Sequence, residues 1–215
     1  FAIFCLEDPV NTTAALNVIL RHSNPEIDLL TRVEALPSQY SRIIETMCIR
    51  NEVPLQTLQI LLQSKNVEFA RSAAYGEWHS VPKGTVRPEL YVDWKRIILQ
   101  DESDNYHLRE ILKNSQDVAF EWIMRFLENH PKYLYKYENL ILAVSESLNV
   151  EQKHHILDNI KPDFLGALII QCFTRDSIAL YEHLLNIQNL KEFHLDPLIL
   201  EERKQWVEKA LMAMI

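Results

Sequence analysis

Glycine is the most informative scarcity in this chain. There are three in 215 residues, Gly76, Gly84 and Gly166, where average usage of about 7% would give roughly fifteen. Glycine supplies the positive-φ turns of β-hairpins and the close backbone approaches of phosphate-binding loops. Its scarcity removes the raw material of a β-rich fold and of a nucleotide cradle, and no GxxxxGK[ST], GxGxxG, GxSxG or kinase-type loop occurs. Positive charge is also short: 22 basic against 30 acidic residues give a net charge of -8. That balance opposes non-specific attraction to nucleic acid or to an anionic membrane. No apolar run approaches the ~18 residues of a membrane-spanning helix, and the opening FAIFCL is too short for a signal peptide and lacks its basic flank. Cysteine is sparse as well. Cys5, Cys48 and Cys172 are odd in number and scattered without CxxC spacing, which suggests neither a disulfide framework nor a zinc site. A reducing, intracellular compartment is expected, the cytoplasm with the nucleus left open. An apolar start at Phe1 without an initiator Met raises the expectation of a piece cut from a larger protein.

What the chain does have is apolar residues, 47% of the total beside 24% charged, close to globular averages and far from a disordered composition. They recur at helical spacing. Leu55, Leu58, Leu61 and Leu62 form one stripe; Phe120, Ile123 and Leu127 a second; Tyr137, Leu140, Ile141, Val144 and Leu148 a third; and Ile178, Tyr181, Leu184 and Leu185 a fourth. Cap residues and prolines at Asn24-Pro25, Asn51 to Pro54, Asn66, Ser115, His130-Pro131, Asn149, Pro162-Asp163, Thr174 and Asp196-Pro197 punctuate the pattern. The spacing predicts helices over 12–22, 25–35, 38–50, 54–64, 67–78, 88–99, 104–113, 116–129, 132–148, 150–159, 162–173, 175–187 and 197–213. An all-α fold follows, with residues 1–215 as one helical-repeat domain and a joint at 79–88, where HSVPKGTVRP breaks the rhythm. Short helices on short connections favour stacked antiparallel hairpins of the α-solenoid kind, with an irregular globular helical bundle as the alternative.

Three stretches resemble one another: NPEIDLLTRVEAL from Asn24, NEVPLQTLQILLQS from Asn51 and NVEFARSAAYGEW from Asn66. Two open on Asn with a nearby Pro, and the third carries the small face Ala70, Ala73 and Ala74. This pattern, over residues 12–80, resembles HEAT- or armadillo-type helical repeats. Of the Asp, Val and Arg that the repeat consensus places in its second helix, Val67 and Arg71 are matched here. The helix count, the missing catalytic signatures, the low glycine content and the apolar start together lead to the expectation of a non-enzymatic module that binds a protein or peptide partner, a sensor or scaffold arm of a larger multidomain protein. No cofactor is expected, and the sequence leaves the oligomeric state open.

Three constellations carry possible chemistry. The segment HPKYLYKYENL sets Lys132, Tyr133, Tyr135 and Lys136 side by side, and rings interleaved with lysines can hold an extended peptide or stack bases. It is the best candidate contact surface by composition. Arg125 and His130 have an R-x4-H spacing that resembles HEPN-type ribonucleases. That resemblance implies a cation stabilising charge on the scissile phosphate and an imidazole moving the proton. Phe126, however, stands where that family carries a polar residue, and the plainer reading is an exposed Arg with His130 favoured at a helix C-terminus. His154 and Asp158, four apart on one helix face, could offer two ligands to a divalent metal but no third; a solvated polar face is the plainer account. A nucleic-acid-binding array using the Lys/Tyr segment is the weakest alternative, because the net charge opposes it.

Overall fold

The computed structural model describes residues 11–21, 31, 33–81, 85–129 and 137–159, together with positions 169, 172 and 173. The described residues are all-α. They form α1 (Thr12–Leu20), a 3-10 turn (Ser38–Tyr40), α2 (Ser41–Ile49), α3 (Leu55–Leu62), α4 (Val67–Ser80) and α5 (Tyr91–Gln100), followed by α6 (Tyr106–Asn114), α7 (Gln116–Asn129), α8 (Glu138–Ser147) and α9 (Val150–Asn159). Residues 31, 33 and 34 are helical too. The helices expected at 162–173, 175–187 and 197–213, and most of that at 25–35, lie outside the described residues. Among the described residues no helix is long and apolar enough to cross a membrane.

The helix ends follow from the side chains at them. Asn51 takes φ 55°, the left-handed conformation that Asn tolerates better than most residues. Its N–H donates to Cys48 O (2.8 Å) while that of Glu52 reaches back to Met47 O (2.9 Å), so α2 ends in a Schellman motif that satisfies two carbonyls otherwise left bare. At the starts, Asn66 Oδ1 accepts from Phe69 N–H and Asn105 Oδ1 from Leu108 N–H. Asn149 and Gln152 exchange bonds, each side chain accepting from the other's backbone N–H at 2.9 and 3.2 Å, a reciprocal capping box on α9.

Two compact units divide the chain between Glu102 and Ser103. In the first, α4 packs on α2, α3 and α5, while α3 also packs on α5 and α1 on α2. Arg96 on α5 donates to Leu62 O at the end of α3 (3.0 Å), and Gln63 donates to Asp93 (2.8 Å). Helix α4 is the centre: Phe69, Ala70 and every residue from Ser72 to Trp78 are buried. Its crossing with α2 is close because position 76 has no side chain. A Cβ added at Gly76 would overlap Cys48 Cβ and lie 2.9 Å from the Glu45 carbonyl oxygen.

In the second unit α6, α7 and α8 pack pairwise. The face that α7 buries is Val118, Ala119, Trp122, Ile123 and Phe126, which corrects the stripe expected from Phe120, Ile123 and Leu127; Phe120 and Leu127 are only half-buried. The face turns because aromatic packing sets it: Trp122 stacks on Phe126 at 4.8 Å, and Phe126 meets Tyr137 edge-on at 4.7 Å. Gln116 donates to Gln152, and Phe120 lies beside His155, joining α7 to α9.

Gly76→Ala is expected to lower unfolding stability by roughly 2–3 kcal/mol or more through overpacking, read from the midpoint of urea denaturation. Adding Cys48→Ala should not rescue it, because the Cβ and the carbonyl oxygen that obstruct position 76 both remain.

Candidate functional site

A helix buried on nearly every face takes its polar residues into the core with it, and those groups need partners there. On α4 these include Tyr75 and Glu77. The Glu77 side chain is 0% exposed, and an arginine from the connection to α5 neutralises it. Arg87 Nε donates to Glu77 Oε1 at 3.0 Å and Nη2 to Oε2 at 2.6 Å. The Arg87 backbone N–H adds a bond to Oε1 at 3.1 Å, and Ser80 Oγ donates to the Glu77 carbonyl at 2.9 Å. This is a two-pronged, charge-assisted pairing of the strongest kind that side chains make. The paired carboxylate also raises the already high pKa of Arg87.

A second buried acid closes the far end of α5. Asp101 is its C-cap, and its carboxylate, 0% exposed, receives the Tyr75 hydroxyl and stands 3.3 Å from Arg71 Nε. On the same helix pair, Trp94 Nε1 donates to Ala74 O at 3.0 Å, and the Trp94 ring stacks on Trp78 at 5.6 Å. Tyr91, 38% exposed, extends the stack at 5.9 Å from Trp94, with Lys95 Nζ over its ring at 5.7 Å from the centroid. Cys48 completes the group. Burial, and secondarily the charge of Glu77, push its thiol from 9.0 up to about 12. A thiol so protonated near neutral pH is a poor nucleophile. The network holds α4, the 85–90 segment and the end of α5 in one register.

The residues singled out in the sequence stand elsewhere. Arg125 is exposed on α7, and the Phe126 that follows it is 3% exposed in the core. His130, Lys132, Tyr133, Tyr135 and Lys136 lie outside the described residues. Tyr137, the last ring of that series, is buried against Phe126. His154 is half-buried and Asp158 exposed on α9, and among the described residues no three His, Cys, Asp or Glu gather where they could hold a metal. The sequence reading missed Glu77, Arg87 and Asp101. The one available signal was a Glu within the apolar run AAYGEW, ten residues before an Arg, which is a weak pattern until the fold closes it.

Arg87→Ala leaves Glu77 buried without its cation and should cost about 3–5 kcal/mol in urea unfolding. Glu77→Gln combined with Arg87→Gln should cost less than Arg87→Ala alone, because no unpaired charge remains. For Cys48 the folded-state value lies above the unfolded one, so its contribution is complete below pH 9.0 and is lost as pH rises toward 12. The wild type should therefore lose stability relative to Cys48→Ala across that window, measured by urea midpoints at stepped pH. In comparisons with known proteins, no family model, no curated protein and no solved structure matches this chain.

Proposed function

We propose that this chain is a non-enzymatic interaction module, a sensor or scaffold arm of a larger multidomain protein. In this reading it presents a protein or peptide partner with the outer faces of stacked helical hairpins of the HEAT/armadillo-like, α-solenoid kind. The observation that carries the proposal is the packing order. Helices pack on the next but one as well as on the next: α2 on α4, α3 on α5 and, within the second unit, α6 on α8. Hairpins that bury their inner faces on their neighbours generate that order and leave an outward face on each for contacts. The buried charges give further support, since the oxygens of Glu77 and Asp101 bond within the first unit and serve to keep a scaffold rigid.

The contact surface we propose is Lys132, Tyr133, Tyr135 and Lys136, where rings supply apolar area at low entropic cost and lysines complement an acidic partner. Cys48, buried and outside any disulfide, fits a reducing, intracellular setting.

The experiment is capture of partners by the full chain from native cell extract, identification by mass spectrometry, and titration of the purified partner. A protein that binds the wild type and binds Lys132→Glu/Tyr135→Ala at least about tenfold more weakly is the expected outcome. The reading fails if the captured material is RNA that the chain cleaves, with cleavage lost in Arg125→Ala and in His130→Ala, or if no protein depends on the Lys/Tyr segment.

A further inference from the structure

Helix α5 buries one side in the first unit and turns the other outward. Trp94, Ile97 and Ile98 are buried, whereas Val92 is 78% exposed and Tyr91 lies exposed beside it. At 3.6 residues per turn the outward side is a short stripe. Val92 and the half-buried Leu99, about two turns apart, form its midline, and Lys95 and Arg96 flank that line on opposite sides. Tyr91 stands at the edge next to Lys95, whose Nζ lies over its ring. The stripe is braced from within. Tyr91 stacks on Trp94 and Trp94 on Trp78, so the ring has little freedom left to lose when something covers it. Arg96 Nη2 is held by Leu62 O and stands 3.5 Å from Asp93, yet the side chain keeps 48% of its exposure, and a guanidinium carries donors on Nε and Nη1 as well. Asp93, the acid of this helix, is engaged by Gln63 and Arg96. The exposed Glu89 belongs to the connection before α5, more than one turn from Lys95. The outward stripe is therefore apolar along its middle and positive along both sides.

We propose that this stripe docks an acidic amphipathic helix of a partner protein, with apolar side chains seated on Val92 and Leu99 and carboxylates to either side meeting Lys95 and Arg96. Charge complementarity selects that occupant. A second copy of the chain across a two-fold axis would bring the same cations to the same seam, where like charges repel. Nucleic acid would meet the two cations but gains nothing from Val92 at the centre, and the net charge of -8 opposes its approach. An acidic segment without apolar groups would leave Val92 and the Tyr91 ring uncovered. The inference rests on the reading of the chain as an interaction module, to which it adds a face and a partner chemistry.

The probe is a displayed library of random peptides long enough for about four helical turns, selected on the full chain. Selected peptides, and separately a single-stranded oligonucleotide, are then titrated against purified wild type and variants. Selected sequences should be enriched in Asp and Glu and carry apolar residues at helical spacing. Val92→Glu and Lys95→Glu should each weaken a selected peptide about tenfold or more, while Lys132→Glu/Tyr135→Ala should leave its affinity unchanged. Lys95→Glu should regain binding to a peptide whose facing acid is changed to Lys, which a variant that merely misfolds could not do. A selection that enriches no binder, or binders with no excess of acids over the starting library, overturns the inference. So do peptides whose affinity neither α5 variant changes, self-association that Val92→Glu abolishes, or oligonucleotide binding that Lys95→Glu abolishes. The module reading is tested apart from this, on the natural partner captured from cell extract and its dependence on the Lys/Tyr segment.

Discussion

The first unit depends on the crossing of α4 over α2 at Gly76 and Cys48. Because the two backbones approach so closely there, α4 sits inside the unit and buries nearly its whole circumference. A helix in that position cannot turn its polar side chains to water. The desolvation of Glu77 is thus a consequence of the crossing, and the reach of Arg87 into the core is a consequence of that desolvation. The same logic explains Trp94, whose indole N–H finds the Ala74 carbonyl on α4 instead of solvent.

The second unit solves its packing with rings in place of charges. Trp122, Phe126 and Tyr137 form a run of aromatic contacts from α7 to the start of α8. Its polar contacts lie nearer the surface. Asp104 receives Asn139 at 3.2 Å and stands 3.5 Å from Arg109, while Lys113 on α6 meets Glu146 on α8 at 2.7 Å. Exposed pairs of this sort add little stability, so the aromatic contacts carry this unit's specificity of packing.

The helices were legible because their signals are local. Asn51, Asn66 and Asn149 read as boundaries and act as boundaries, and the spans expected at 67–78, 116–129 and 150–159 agree with α4, α7 and α9 to within two residues. Faces were legible where a stripe is long, as with Tyr137, Leu140, Ile141, Val144 and Leu148, all buried. They were less so on α7, where periodicity alone cannot rank Trp122 and Phe126 against Phe120 and Leu127. The charged network was not legible at all. Pairing Glu77 with Arg87 and Tyr75 with Asp101 requires knowing that α4 is central, and no period encodes that. Val67 and Arg71, the two positions matched to the repeat consensus, part company here: Arg71 reaches Asp101, while Val67 is 57% exposed.

The separation of Glu77 from its partner also bears on the order in which the chain assembles. Glu77 and Arg87 are 10 positions apart in the sequence, and Tyr75 and Asp101 are 26 apart. The shorter loop closes at the smaller entropic cost, so the arginine can meet its acid before α5 is seated. Settling α4 onto α2 with a bare carboxylate inside is costly. On a chain emerging from the ribosome, the centre of the unit therefore gains its full stability only once synthesis has passed Arg87.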